Sequence, residues 1–182
     1  MGLDGAEALL GRGTATQSCR FLDRLPQNAD FQNEDILLIC PWLEGLDPDK
    51  GPWLAALPIH DCNAYLDGEW TFNASPEERE RCYFGVFGLD RLRSQDGLFT
   101  LLRRRGIDAI TNLPSITVFD GATAQTLSSL GFDANSERRF LDQAERRGFR
   151  TAHCCRAERG CPDRPGARIL HTGPGQAFTF TR

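Results

Sequence analysis

This sequence predicts an α/β fold built of parallel βα units, and three observations carry that reading. Apolar runs recur as continuous stretches rather than alternating ones, the pattern of strands covered on both faces. Helical stretches with one apolar face fall between those runs, as in strand–helix–strand units. Polar residues stand just past the runs, where ligands bind in parallel α/β proteins.

The elements follow in chain order. Residues 1–33 are a weakly patterned N-terminal segment, in which 6–10 and 19–25 read as short helices around the flexible Gly11-Arg12-Gly13-Thr14. A βα domain then occupies residues 34–182. Its strand-like runs are 36–40, 82–87, 109–112, 149–155 and 168–171. Pro76 with Glu77 and Glu78 marks a helix start. Residues 97–105 carry Leu98, Phe99, Leu101 and Leu102 and stop at Gly106. The clearest helix is 136–147, with Asn135 or Ser136 as cap, Phe140, Leu141 and Ala144 on one face, arginines in the last turn and Gly148 after it. Residues 45–58 and 157–167 are rich in Pro and Gly and read as loops.

A chain of 182 residues is long enough for one domain with a sizeable core. Its net charge of −4 gives no reason to expect nucleic-acid binding, and no apolar stretch approaches the ~20 residues of a membrane span. Seven cysteines without a CxxC pair and without a signal peptide read as buried reduced thiols of a cytoplasmic protein.

Candidate site residues cluster after the strands. Asp61 and Asn63 lie in a polar knot, His60-Asp61-Cys62-Asn63, after the first strand; Asp90 follows the second. Asn112 ends the third, and Asp120-Gly121 comes soon after. His171 ends the fifth, followed by Gly173-Pro174-Gly175. Carboxylates, amides and an imidazole on one face are the groups that hold a divalent cation and stabilise an enolate or phosphoryl oxygen. Each also has a plainer reading: Asp120 before Gly121 as an Asx-type turn, Asp61 and Asn63 as ties within their own loop, Asp90 as a helix cap. His153 beside Cys154 is no catalytic pair, because neighbours in a strand point to opposite faces.

In order, these pieces resemble the TIM-barrel phosphoenolpyruvate hydrolase-like family. The family signature Asn-Phe-Pro-Thr-Val-Gly-Leu-Ile-Asp-Gly stands here as Asn112, Leu113, Pro114, Ser115, Ile116, Thr117, Val118, Phe119, Asp120, Gly121. Gly85, Val86, Gly88 and Asp90 match its preceding segment; Leu57, Pro58, Asp61 and Asn63 match an earlier one. His171 and Gly173 match its later histidine-x-glycine, and Glu137 fits one acid of the helix after the signature. The chain departs from the family at Pro41, Trp42 and Glu44, at His60 and at Arg139.

The resemblance implies a fold of TIM-barrel type. Five recognisable strands against the eight of a complete barrel make it a partial or divergent one. It implies metal-assisted hydrolysis or lysis of a small phospho- or phosphono-keto acid, with Mg²⁺ held by Asp61, Asp90 and Asp120. Asp120, Asn112 and His171 would be the catalytic residues, with Asn112 orienting the substrate and His171 serving as acid or base, and Asp61, Asn63, Gly121 and Gly173 would line the substrate. An incomplete barrel exposes strand edges, which favours a homo-oligomer. The rival expectation is a non-catalytic binding or regulatory module on the same scaffold.

Overall fold

The computed structural model describes residues 19–32, 36–46, 56–57, 60–156, 168–171 and 176–180. One seven-stranded sheet organises them, in the order β1-β2-β3-β4-β5-β7-β6. The strands are β1 (Cys19–Leu22), β2 (Ile36–Ile39), β3 (Cys82–Gly85), β4 (Ala109–Thr111), β5 (Arg150–Arg156), β6 (Arg168–His171) and β7 (Gln176–Phe180). The first five lie side by side in chain order and all run parallel. The predicted α/β class with parallel units is therefore present.

Three elements differ from the sequence reading. Residues 19–22 form β1, an edge strand against β2, where a short helix was expected, so the boundary at 33/34 does not separate the N-terminal segment from the sheet. Asp30 explains the local order: it accepts from Arg20 at 3.1 Å and from Arg24 at 2.7 Å, which ties the strand to the turn at Asn28–Phe31. The second difference is β7, which was not expected at all. It pairs antiparallel with both β5 and β6, so β6 keeps the direction of β5 without touching it. The third is a helix at Gly121–Ser129, a stretch for which the sequence reading gives no helix and only the plainer reading of Asp120-Gly121 gives a turn. The expected helix at 6–10 and most of the two expected loops lie outside the described residues.

Among the described residues four α-helices accompany the sheet: α1 (Pro76–Glu80), α2 (Gln95–Arg104), α3 (Gly121–Ser129) and α4 (Ala134–Arg146). Side-chain caps start three of them. Ser75 and Glu78 exchange bonds across the first turn of α1, Ser94 accepts from Gly97 at 3.1 Å, and Asp133 accepts from Ser136 at 2.7 Å. Asp133, rather than Asn135 or Ser136, is thus the cap of α4. None of the helices among the described residues is long and apolar enough to cross a membrane.

Alternation along the strands divides the core in two. Leu37, Ile39, Phe84 and Ile110 pack under α2 and α4 against Leu98, Leu102, Phe140 and Ala144. Leu38, Tyr83, Ala109, Ala152 and Cys154 face the other way, toward Trp42, Leu113, Phe119 and Leu127. That second layer is built by segments that leave the carboxyl ends of the strands, so the fold concentrates irregular backbone on that edge. Gly88 fixes how closely edge and helix meet: a Cβ there would come within 2.2 Å of the Phe140 ring. Among the described residues Cys40, Cys62, Cys82 and Cys154 are buried thiols in no disulfide, and burial pushes the Cys62 and Cys82 thiols up to about 12.

Candidate functional site at the carboxyl edge

Two asparagines anchor the carboxyl edge by the same device. After β2 the chain returns through Asp61 and Asn63, and Asn63 is buried. Its Oδ1 accepts from the Phe87 N–H at 3.1 Å, while its Nδ2 donates to the Phe87 carbonyl at 3.0 Å and to Asp90 Oδ2 at 2.9 Å. The carboxamide here replaces a peptide unit and satisfies backbone that β3 no longer pairs. Asp90 Oδ1 accepts from the Leu92 N–H at 2.7 Å, an Asx-type turn rather than a helix cap.

Arg93 closes this group. It donates to Asp61 Oδ1 at 2.8 Å, Asp61 Oδ2 at 3.0 Å and Asp90 Oδ2 at 3.1 Å, and it also reaches Asp67. The two-pronged pairing with Asp61 is the geometry that a planar guanidinium favours. Arg93 beside it holds the Asp61 carboxyl below the usual carboxylate range, and the same bonds raise the arginine further. A cleft of about 210 Å³ opens here, lined by His60, Asp61, Asn63, Asp90, Arg91 and Phe132 among others.

The second asparagine follows β4. Asn112 is fully buried; its Oδ1 accepts from the Cys154 N–H at 2.6 Å and its Nδ2 donates to the Cys154 carbonyl at 3.1 Å. It so prolongs the β4–β5 ladder beyond Thr111↔Ala152, just before the chain turns at a cis Leu113–Pro114 peptide. Nδ2 also donates to Glu137 Oε2 at 2.8 Å. Glu137, on α4, further accepts from Ser115 Oγ at 2.8 Å and from the Ile116 N–H at 2.6 Å. Burial raises its carboxyl to about 7 against the lowering effect of the three donors. A larger cleft of about 720 Å³ lies in front, with Thr117, Phe119, Gly121, Gln125, Phe132 and Asp133 on its walls. Phe132 lines both clefts, so they adjoin.

The predicted residues fall into distinct places. Asp61, Asn63 and Asp90 come together from two loops. Asn112 is a buried tie whose amide is spent on Cys154 and Glu137, set behind the cleft walls. Gly121 lines the larger cleft with φ +55, a left-handed conformation that favours glycine. Asp120 is exposed at the start of α3, where its side chain makes no cap bond, and it is not on the wall of the smaller cleft. His171 ends β6 level with Ala177 and hence with Cys155, on the same edge as the other strand ends. Gly173 lies outside the described residues.

The acids do not fit a divalent cation as arranged. Both oxygens of Asp61 and one of Asp90 already face Arg93, so a metal would have to displace a guanidinium. Among the described residues no group of three His, Cys, Asp or Glu side chains is placed to hold a metal ion.

Sequence reasoning missed Arg93, Thr117 and Phe132. Arg93 had a signal, an arginine three residues after Asp90 beside a loop with two further acids. Trp42 enters the sequence reading only as a departure from the resembled family. Among the described residues its buried indole N–H has no hydrogen-bond partner, and a Cβ on Gly85 would come within 3.0 Å of it.

No family model matches the chain. It is similar to an uncharacterized protein, y4oT, of Sinorhizobium fredii, with 32% identity over 118 residues, which is 65% of this chain and 59% of that protein. The chain therefore aligns with less than two thirds of that relative's length.

Proposed function

We propose that this protein takes a small phosphorylated or phosphonylated keto acid at the carboxyl edge of its parallel strands. It acts there as a hydrolase or lyase of the phosphoenolpyruvate hydrolase-like kind, on a partial TIM-type barrel. The observation that carries the reading is the convergence of Asp61, Asn63 and Asp90, from loops after two different strands, at the rim of a cleft. Residues after different parallel strands are the usual source of such sites. Five parallel strands in chain order are what part of a singly wound barrel contains. Arg91, which lines the same cleft, stacks over Phe132 at 4.9 Å and donates to the Leu130 carbonyl at 3.2 Å, is a cation near enough to meet a ligand oxyanion. In this reading the protein works in the cytoplasm on a small molecule, without nucleic acid or membrane, and self-associates along its sheet edges.

A second reading has its own support. Every oxygen of Asp61 and Asp90 is engaged by Arg93, Asn63 or backbone, and Asn112 is equally saturated. A site so fully tied holds a ligand more readily than it transforms one, which favours a binding or regulatory module.

One experiment separates these. Thermal melts are recorded with and without phosphoenolpyruvate or phosphonopyruvate, each with and without Mg²⁺, beside size-exclusion chromatography and an assay of phosphate or pyruvate release. The catalytic reading expects an upward shift by mass action and product release. A shift without product leaves the binding module. No shift with any of these ligands removes the keto-acid reading altogether.

A further inference from the structure

Ser115 and Thr117 connect the buried carboxyl of Glu137 to the larger cleft. Ser115 Oγ lies 2.8 Å from Glu137 Oε2 and 2.8 Å from Thr117 Oγ1, and either hydroxyl of the second pair can be the donor. Thr117 is half-buried and lines the cleft. Glu137 itself is sealed from solvent at 1% exposure. Three polar groups in a row, with one end buried and the other on a cleft wall, form a path for a proton.

We propose that Glu137, Ser115 and Thr117 form a proton relay opening into the cleft beside α3 and α4, which presents the Thr117 hydroxyl to a ligand oxygen that takes up or releases a proton there. The balance is simple. Glu137 Oε2 gives its proton to Ser115 Oγ, Ser115 gives its own to Thr117 Oγ1, and Thr117 gives its own to the acceptor in the cleft. Glu137 is left as the carboxylate, both hydroxyls stay neutral, and their hydrogen bonds reverse. In the carboxylate state Ser115 donates to Glu137 and Thr117 to Ser115, an arrangement the same distances accommodate.

The surroundings suit a group that exchanges near neutrality. Asn112 Nδ2 and the Ile116 N–H stabilise the carboxylate, whereas burial and Asp133 at the start of α4 oppose it. The thiol of Cys154 on β5 also faces it, and burial and Glu137 keep that thiol protonated. Balanced between these, the carboxyl titrates at about 7. The relay needs no keto-acid ligand, since water in the cleft is acceptor enough, so it stands or falls separately from the reading above.

The test is a pH jump on the intact chain, following the infrared carbonyl band of a protonated carboxyl that Glu137→Gln removes. The expected result is a band that relaxes faster than the global opening measured by amide exchange. Thr117→Val, or Thr117→Ala should the valine not fold, slows it by about a hundredfold, the low side of what a positioned proton-transfer group contributes. Thr117→Ser restores the rate. Three results would overturn the relay: an unchanged rate in both Thr117 variants, a wild-type rate equal to global opening, or no titrating band that depends on Glu137.

Discussion

Asn63 and Asn112 make the same bonds in different electrostatic surroundings. Each clamps the N–H and carbonyl of one residue on the neighbouring segment, Phe87 or Cys154, and each donates to a carboxyl, Asp90 or Glu137. At Asn63 a guanidinium completes the group, whereas at Asn112 the donors to the carboxyl are all neutral. The first carboxyl group is matched by charge and stands at the rim of a cleft. The second is matched by dipoles alone and stays behind the wall, with its titration raised. Whether an arginine reaches the carboxyl therefore separates a charged rim from a sealed proton store.

Removing the amide behind the wall should have the largest effect. Asn112→Ala leaves the Cys154 N–H and carbonyl and one Glu137 oxygen short of partners, and a cost of about 4 kcal/mol is expected from chemical denaturation. A loss below about 1 kcal/mol would mean that water replaces the amide.

The pH dependence of stability comes next. Glu137 titrates at about 7 in the folded chain against 4.5 for an ordinary glutamate. The folded state thus keeps a proton that the unfolded state gives up between those values. Its contribution is full below about pH 4.5, falls as pH rises to about 7, and is level above; the whole change is about 3 kcal/mol. Glu137→Gln should flatten that slope. Asp61 has the opposite sign: Arg93 lowers its titration, so its contribution is present above the ordinary aspartate range and is lost as acid takes the pH through the lowered value.

Gly88→Ala tests the join between the two regions. The added methyl meets the ring of Phe140, on the helix that also carries Glu137, and about 2 kcal/mol of destabilisation is expected in the same denaturation experiment. The smallest effect belongs to Arg93→Met. Solvent reaches part of the Arg93 group, since the side chains of Asp61 and Asp67 are 33% and 56% exposed. Screening leaves about 1 kcal/mol, and the loss should shrink further in high salt.

Much of this was legible in the sequence, for identifiable reasons. Continuous apolar runs at 36–40, 82–87 and 109–112 marked strands because burial on both faces leaves no alternation. Phe140, Leu141 and Ala144 marked α4 because helix packing repeats every three to four residues. β1 was not legible: Cys-Arg-Phe-Leu is short, and its order comes from Arg20 and Arg24 meeting Asp30. α3 was hidden because Asp120-Gly121 also reads as a turn, and the helix buries little beyond Leu127. At the site, local spacing pointed to Asp61, Asn63 and Asp90. Nothing local revealed that Asn112 would be consumed by Cys154, a contact 42 residues away.

The most direct test of the central claim, that the charged rim is the ligand site and the Asn112–Glu137 group its scaffold, is an NMR titration with phosphoenolpyruvate, following backbone amides and arginine side chains. The account predicts saturable shifts at Asp61, Asp90, Arg91 and Arg93, with Asn112 and Cys154 unmoved. Saturable shifts centred elsewhere, or none at all, would contradict it.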